Sequence, residues 1–415
     1  MTKICCIISL IGFSFVLAAI YSSRTQSAAL PALTSKGIAS MDQFLADTVA
    51  KQELPGLVAA VVNKDQILYL KAFGKQNVGQ NIPMTKDTIF RIASMTKPVT
   101  SVAIMMLVEQ GNIRLDDPIS KYLPEYKGRE VIATFNEKDG SYTTRPAKQE
   151  ITIRHLLAHT SGLGYDFTSP TVAALLKKTG KGEHELPLLF DPGTQWLYST
   201  SPAVLGDLLK KLSGQSLEQH FKEKVFQPLQ MPDTSFYVPE DKLSRLVTKH
   251  KRGGAKLTET PNPAKFTAFE SGEGGLNATA ADYAAFVQML LNQGSRGSAR
   301  LLKPESIRQM ISNQIGPVIV SEMPAVMPEL SAAFPFGAGK DKFGLGFQIT
   351  MTEGKARHER SAGSYAWAGI YNTHFWVDPK RGIGVIFLSQ DLPFYNTTTM
   401  GLMRQFEHLV YAHLQ

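Results

Sequence analysis

Cysteine is nearly absent from this chain. Cys5 and Cys6 are the only two among its 415 residues, and both lie in an apolar segment at the N-terminus. Without that segment the chain carries no thiol, which excludes a disulfide framework and thiol catalysis from the rest of the protein. Its chemistry must therefore come from other side chains.

Long runs of like charge are also absent. The formal net charge is +8, but the 44 lysines and arginines are scattered, and no run of five or six basic residues appears. Segments that bind nucleic acid usually carry such blocks of one charge. We therefore expect no nucleic-acid partner and interpret the positive charge as a solubility feature.

The N-terminal segment has the layout of a secretory signal. Lys3 precedes an uncharged apolar run over 4–21, and small residues follow as far as Ala28 and Ala29. We expect residues 1–29 to be a signal peptide, and the protein to be secreted or periplasmic. Because the apolar run approaches the length of a membrane span, a retained membrane anchor is the alternative.

Hydrophobic patterning predicts strands at both ends of the remaining chain and helices between them. Two stretches rich in Val, Ile and Leu flank a turn at 63–65, and strand signals return near the C-terminus. Helical periodicity dominates 152–295 and the last stretch of the chain. These patterns predict an α/β fold. Its antiparallel sheet would be built from both chain ends, flanked by helices and packed beside a mainly helical inserted subdomain.

The same patterns predict the domain boundaries. One domain is expected over 30–415, with the α/β part at about 38–93 and 300–415 and the helical part at about 94–299. A polar hairpin is expected within the helical part, over 127–150, with an Asp-Gly turn at its tip.

Ser94 and Lys97 form an S-x-x-K pattern at the predicted start of a helix. Pro98 suits the first helical turn, whose N–H groups have no partner inside the helix. Lys97 lies one turn beyond Ser94 on the same face, so its amine can reach the serine hydroxyl. A nucleophile beside a base is the minimum for covalent catalysis. A capping serine and a solvent-facing lysine are the alternative, but a lysine that opens a mostly apolar helix needs a reason.

Tyr198 lies in a loop before another predicted helix and, taken alone, is equally consistent with a packing tyrosine. In order along the chain, however, the segment from Ser94 to Lys97, the segment from Tyr198 to Thr200, and a glycine-bearing strand near the C-terminus resemble the penicillin-recognising serine hydrolases. That family includes class C β-lactamases, D-alanyl-D-alanine carboxypeptidases and the β-lactamase-like carboxylesterases. Supporting segments span about 40–410.

The resemblance implies a mechanism and a set of site residues. Ser94 would attack a carbonyl, and Lys97 and Tyr198 would share the proton transfer, with an ammonium at Lys97 lowering the pKa of Tyr198. The backbone N–H groups of Ser94 and Ile370 would form the oxyanion hole. The substrate-binding positions implied in the same way are Thr200, Gly274, Trp367, Ala368 and Gly369.

Two departures from the family pattern favour an ester substrate. Thr200 stands where lactamases and peptidases usually carry asparagine, and the segment from Trp367 to Gly369 stands in place of their Lys-Thr-Gly. An apolar wall then replaces the groups that hold a substrate carboxylate. The resemblance therefore implies a carboxylesterase. A β-lactamase or D-alanyl-D-alanine carboxypeptidase, an acyltransferase and an inactive binding relative are the alternatives.

His155 and His159 have the spacing of half a metal site, but no third ligand stands out. We therefore expect no metal and no other cofactor. The expected partner is a small-molecule ester, lactam or peptide, while the natural substrate and the oligomeric state stay open.

Overall fold

The structure is a computed structural model that describes residues 30–254, 256–352 and 359–415. The expected signal peptide, residues 1–29, lies outside the described residues. Residues 31–415 form one compact unit. None of the helices in the described part of the chain is long and apolar enough to cross a membrane.

The described residues form strands and helices in mixed order along the chain. The strands are β1 Gly56–Asn63, β2 Ile67–Asn77, β3 Ile82–Pro83, β4 Phe90–Arg91, β5 Glu130–Phe135, β6 Tyr142–Pro146, β7 Lys249–Gly253, β8 Lys256–Thr260, β9 Asn277–Ala278, β10 Ser295–Arg296, β11 Ala299–Arg300, β12 Lys342–Phe343, β13 Gln348–Ile349, β14 Tyr365–Gly369, β15 Thr373–Asp378, β16 Ile383–Leu388 and β17 Asp391–Leu392. The helices are α1 Ser35–Ala50, α2 Thr96–Glu109, α3 Ile153–Leu157, α4 Pro170–Thr179, α5 Ser201–Ser213, α6 Leu217–Phe221, α7 Gln227–Leu229, α8 Ala280–Leu291, α9 Pro304–Met310 and α10 Thr397–Ala412.

The main sheet joins the two ends of the chain. Its eight strands follow the order β12-β13-β14-β15-β16-β1-β2-β3, and every neighbouring pair is antiparallel. Strands β1 and β16 are buried along their full length, as expected for strands that are covered on both faces. Helices α1 and α10 cover one face and α8 covers the other. The predicted fold class is therefore confirmed.

Two local predictions need correction. Helix α8 falls in the sequence segment assigned to the helical part, yet it packs on β1 and β16, because its apolar face matches the second face of the sheet. One of the strand signals near the C-terminus, over 344–350, corresponds in the structure only to the shorter β13. Gly344 lies so close to Met310 that an added Cβ would be 2.0 Å from the Met310 carbonyl oxygen, and the backbone turns there instead of extending.

The remaining elements surround α2, which the sheet and the helical part share. Helix α5 packs against both α2 and α3. Strands β5 and β6 form the predicted polar hairpin, and the backbone N–H of Gly140 bonds the carbonyl of Asn136 at its tip. Strand β4 leads into α2 from the sheet side. The loop before α5 contacts the start of α2 from the helical side.

Candidate active site

Ser94 lies in a single turn of 3-10 helix, Ala93–Met95, between β4 and α2. Ala93 has a φ of +45°, a conformation that costs energy for a residue with a side chain. The turn is held from β14, because Gly369 approaches Ile92 so closely that an added Cβ would lie 2.2 Å from the Ile92 carbonyl oxygen. Thr373 in β15 donates to the same oxygen at 3.3 Å. The nucleophile position is thus a strained turn clamped by the sheet.

Lys97 lies in the first turn of α2 and is only 1% exposed. Its Nζ is 3.1 Å from Oγ of Ser94, which realises the contact that the S-x-x-K spacing predicts. Nearly every side chain over the first three turns of α2 is buried, so the amine cannot reach water by turning outward. A buried amine must find partners inside the protein.

Tyr198 approaches Ser94 from the opposite side. Its hydroxyl donates to Oγ of Ser94 at 2.7 Å, and its ring is buried. His159 supports the loop that carries it: the N–H of Ser199 donates to Nδ1 of His159 at 3.2 Å, and the two rings pack with centroids 5.1 Å apart. Ser94, Lys97 and Tyr198 are therefore brought together, although Tyr198 is 104 residues from Ser94 along the chain.

Two further groups complete the surroundings of Lys97, and the sequence analysis did not identify either one. The Nζ of Lys97 donates to the backbone carbonyl of Glu273 at 2.7 Å and lies 3.1 Å from the hydroxyl of Tyr165. That hydroxyl in turn donates to Oε2 of Glu273. The available signal was the buried lysine itself, which predicts nearby acceptors but not their positions in the chain.

Burial shifts the pKa values of both proton-transfer candidates. Desolvation lowers the pKa of Lys97 to about 7, although the charges of Glu273 and Glu183 act in the opposite direction. Desolvation also raises the pKa of Tyr198, and this effect outweighs the hydrogen bond to Ser94. Burial is therefore the larger influence on the pKa of Tyr198, and the expected effect of an ammonium at Lys97 stays a prediction. Both charged forms are disfavoured, because neither side chain has contact with bulk water.

A cavity of about 500 Å³ opens beside Ser94. Tyr198, Trp367, Ala368 and Ile370 lie in its wall together with several aromatic side chains that the sequence analysis did not identify. Those aromatic residues include Phe167, Phe334, Phe375, Phe394 and Tyr395. Trp367 is 8% exposed and packs its ring against Tyr198 at 5.1 Å between centroids, so only a small part of it faces the cavity.

The cavity continues past β14 to the face of the sheet that α10 covers. Ala366 and Ala368 lie opposite Trp376 and His374 in the β14–β15 pairing, and residues so paired share a face. All four line the cavity, as does Met403 of α10. The small alanine side chains therefore leave space between β14 and α10 that larger residues would fill.

The other predicted substrate-binding residues lie elsewhere. Thr200 is fully buried and its Oγ1 is 3.5 Å from Nδ1 of His184, so it does not reach the cavity. Gly274 lies beside Phe269 and Ala93, outside the described cavity wall. Gly369 is buried against Ile92 and acts through backbone packing. The resemblance carried these positions over by order along the chain, which does not fix the direction of a side chain.

The two histidines that resembled half a metal site have separate environments. Nδ1 of His155 accepts from the N–H of Thr152 at 3.2 Å and caps α3. His159 is buried beneath Tyr198 and Trp367, and desolvation holds its pKa well below the usual value. Each imidazole thus has a local packing role.

With this geometry in place, comparison with known proteins becomes informative. Residues 41–407 match the family model described as Beta-lactamase. The chain belongs to the beta-lactamase family. The protein named Rv1367c from Mycobacterium tuberculosis is 33% identical over 358 residues, covering 82% of this chain and 86% of that relative. Lovastatin esterase from Penicillium rubens is 27% identical over 381 residues, covering 86% of this chain and 93% of the esterase.

A solved beta-lactamase-family fold agrees with these matches. A mutant of simvastatin synthase from Aspergillus terreus superposes with a TM-score of 0.80 at 25% identity, covering 92% of this chain and 98% of that chain. Relatives named as acyltransferases match as well. The predicted resemblance is confirmed, and the relatives of this beta-lactamase-family chain include both acyltransferases and an esterase.

Proposed function

We propose that the chain is a serine hydrolase that cleaves carboxylic esters through an acyl-enzyme on Ser94. One observation carries the proposal: Oγ of Ser94 lies within hydrogen-bond distance of both Tyr198 OH and Lys97 Nζ, beside an aromatic cavity. This arrangement supplies a nucleophile, a base and an acid at one point.

The first step is attack by Ser94 on the ester carbonyl carbon. Lys97 takes the serine proton, because burial keeps a substantial fraction of its amine neutral near pH 7. The new bond joins Oγ of Ser94 to the carbonyl carbon, and the carbonyl oxygen becomes an oxyanion. The N–H groups of Ser94 and Ile370 stabilise that charge; both residues border the cavity.

The second step expels the alcohol. Tyr198, whose hydroxyl already points at the reacting oxygen, donates the proton that the leaving alkoxide needs and is reprotonated from Lys97. Water then attacks the carbonyl carbon of the acyl-enzyme and gives a proton to Lys97. When the bond between that carbon and Oγ of Ser94 breaks, Lys97 returns the proton to Oγ, and the acid product leaves. No redox or metal chemistry is needed to balance these steps.

The aromatic part of the cavity wall favours an ester over an anionic lactam, while Lys340, Arg360 and Arg404 also line the cavity. Trp367 occupies the position at which lactamases and peptidases carry a cationic or hydrogen-bonding group, and aromatic side chains line the cavity around it. An anionic substrate would lose a charge-assisted contact of about 1.5–3 kcal/mol, which is roughly ten- to a hundredfold in rate. The match to a protein named lovastatin esterase favours the same reaction class.

A side-by-side assay tests the proposal. The purified chain and a Ser94→Ala control are given nitrophenyl butyrate, a chromogenic cephalosporin and a D-alanyl-D-alanine peptide under identical conditions. We expect Ser94-dependent hydrolysis of the ester with kcat/KM well above the value for the cephalosporin, after correction for intrinsic reactivity. Faster turnover of the cephalosporin or the peptide would instead identify a lactamase or a peptidase.

Acyl transfer to an alcohol is the second candidate, because relatives of this chain are named acyltransferases. It shares every step up to the acyl-enzyme and differs only in the acceptor. The same assay with a primary alcohol added distinguishes the two. A transferase gives mainly the new ester at low alcohol concentration, whereas a hydrolase continues to release the free acid.

A further inference from the structure

Tyr165 and Glu273 surround the amine of Lys97 but take no part in the proposed reaction steps. We propose that Tyr165 and Glu273 are positioning residues that direct the lone pair of the Lys97 amine toward Ser94, and that the Glu273 carboxylate sets the pH at which this base becomes active. The proposal rests on the proposed function for the role of Lys97, and it adds the groups that control that role.

The hydrogen bonds around Nζ of Lys97 fix the direction of its lone pair. The backbone carbonyl of Glu273 can only accept, so it fixes one N–H of the Lys97 amine at 2.7 Å. Tyr165 uses its own proton on Oε2 of Glu273, so its hydroxyl oxygen accepts a second N–H from Lys97 at 3.1 Å. A neutral amine has only two hydrogens. The remaining direction, which holds the lone pair, therefore faces Oγ of Ser94, also at 3.1 Å.

The segment that carries the acceptor carbonyl of Glu273 is held in place by α2 and α5. Thr100 of α2 donates to the carbonyl of Gly272 at 2.7 Å, and the N–H of Leu276 donates to Oγ1 of Thr96 at 3.2 Å. An added Cβ on Gly272 would lie 2.2 Å from the Pro202 carbonyl oxygen, so this backbone also lies directly against α5. The segment that carries Glu273 is therefore attached to the same helix that carries Lys97.

Tyr165 is fixed as firmly on the other side of the amine. Its side chain is buried, and its ring packs against Phe167 and Tyr198 with centroid distances of 5.1 Å in both cases. Desolvation and the charge of Glu273 raise the pKa of Tyr165, so the phenol keeps its proton and continues to donate to that carboxylate. The acceptor function of the Tyr165 oxygen toward Lys97 is therefore permanent at ordinary pH.

Charged and titratable groups also surround the amine of Lys97. The titratable groups that face Lys97 are Tyr198 from the loop before α5, Tyr165 and His159 from the segment after α3, Glu273 from the segment before β9, and Glu183. Among the described residues no carboxylate forms a direct ion pair with Lys97, and Glu273 acts through the Tyr165 hydroxyl. Glu183 also favours the ammonium, but the charge of Glu273 has the larger effect.

The expected effect of removing that charge has a definite sign. A nearby carboxylate stabilises the ammonium form and so raises the pKa of Lys97 against the effect of burial. Replacing Glu273 by glutamine keeps an oxygen that accepts from Tyr165 but removes the charge. The ammonium is then less stable, and the neutral base forms at a lower pH.

The experiment measures the rate of covalent labelling of Ser94 by a fluorophosphonate as a function of pH, which requires no knowledge of the substrate. For the unmodified chain we expect the rate to rise with pH to a plateau, with a midpoint near the Lys97 pKa of about 7. Glu273→Gln should move the midpoint down by about one pH unit. Glu273→Asp, which retains the charge, should keep the midpoint close to that of the unmodified chain.

Tyr165→Phe tests the orienting contact separately. It removes the oxygen that accepts from Lys97 but preserves the ring, so we expect the plateau rate to fall about tenfold, the value of one oriented hydrogen bond. Tyr122→Phe is the matched control: its hydroxyl donates to Oδ2 of Asp117 at 2.5 Å, in another tyrosine–carboxylate pair away from the cavity. That control should leave both midpoint and plateau unchanged.

Several outcomes would overturn the proposal. An unchanged or raised midpoint in Glu273→Gln would show that its charge does not control Lys97, and an unchanged plateau in Tyr165→Phe would remove the orienting role. A uniform loss of labelling with no change of midpoint in Glu273→Gln and Glu273→Asp, with native circular dichroism, would mark a purely structural role. Labelling with the expected profile but no ester turnover would leave this inference intact and reject the ester-hydrolase proposal.

Discussion

At the scale of single residues, the site depends on a lysine whose amine is desolvated by burial. Lys97 is almost fully buried and sits within hydrogen-bond distance of Ser94, Tyr165 and the Glu273 carbonyl. In water its amine would be charged and useless as a base at neutral pH. Burial brings the pKa to about 7, where a base is most effective for a reaction at physiological pH.

In the proposed reaction Lys97 and Tyr198 share one proton path, so the effects of replacing them should not add. We expect Lys97→Ala and Tyr198→Phe each to lower kcat/KM for nitrophenyl butyrate by several orders of magnitude, and the double variant to be little worse than either single one. Steady-state kinetics on the three proteins and the unmodified chain measures this coupling. Losses that multiply in the double variant would mean that the two residues act in separate steps.

Sequence spacing predicts only the part of this site that is local in the chain. The S-x-x-K pattern predicts the contact between Ser94 and Lys97, because residues three apart on a helix face one another. Tyr165 and Glu273 lie 68 and 176 residues from Lys97 along the chain, and no local period connects them. Only the resemblance to a family placed Tyr198 beside Ser94, and the substrate-binding roles that it implied for Thr200 and Gly274 stay predictions.

At the scale of secondary-structure elements, β14 positions the site through both of its faces. One face of β14 carries Trp367 and Gly369 on the side of the turn that contains Ser94. The other face carries Ala366 and Ala368, whose small side chains leave the cavity open toward α10. The strand was visible in the sequence as an apolar stretch. Its close approach to Ile92 was not, because that approach joins segments 281 residues apart, as the contact between Thr373 and Ile92 illustrates.

Gly369→Ala should therefore weaken catalysis as well as folding. The added Cβ would lie 2.2 Å from the Ile92 carbonyl oxygen, so β14 must move away from the turn that carries Ser94. Overpacking of this kind costs about 1–3 kcal/mol of stability, and the shift displaces Ile370 relative to Ser94. We expect kcat to fall at least about tenfold, measured with nitrophenyl butyrate.

Gly401→Ala provides the matched control for that variant. Gly401 lies in α10, and nothing stands within 4 Å of an added Cβ. Alanine in a helix is favoured over glycine by about 1 kcal/mol, so this variant should be as stable as the unmodified chain or more so, with unchanged kcat. Equal kinetic effects at Gly369 and Gly401 would contradict the clamping role of β14.

Ala366→Leu tests the other face of β14. The larger side chain would fill part of the space between the strand and α10, where the cavity continues past Trp376. We expect long acyl chains to use that space, so the ratio of kcat/KM for nitrophenyl decanoate to that for nitrophenyl acetate should fall about tenfold, the effect of displacing one or two buried methylenes. An unchanged ratio would mean that acyl chains take another route.

At the scale of the whole molecule, the active site forms only when distant parts of the chain meet. The N–H of Arg91, just before the nucleophile turn, bonds Oε1 of Gln390, 299 residues away. The surroundings of Ser94 are therefore complete only when both ends of the chain lie in the sheet. The predicted sheet from both chain ends was confirmed because strand and helix signals can be read from the local sequence. The assignment of α8 to the helical part failed because the local sequence does not show which element a helix packs against.

Burial of the Lys97 amine lowers the free energy of unfolding of the whole protein, and the size of this effect depends on pH. Lys97 has an unperturbed pKa of 10.5 and a folded-state pKa of about 7. Below the folded value it is protonated in both states, and the full penalty for burying the charge is present. Between the two values the folded chain holds a neutral amine while the unfolded chain still binds a proton, so the penalty shrinks as pH rises.

We therefore predict that Lys97→Met, which keeps most of the length of the side chain but cannot be charged, differs from the unmodified chain in a pH-dependent manner. Relative to Lys97→Met, the unmodified chain should gain free energy of unfolding as pH rises from about 7 toward 10.5, with a limiting slope of about 1.4 kcal/mol per pH unit. Urea denaturation of both proteins at several pH values measures this difference and cancels the titration of all other groups. A difference that stays constant over that range would mean that Lys97 keeps its proton in the folded protein, and the assignment of Lys97 as the base would fall with it.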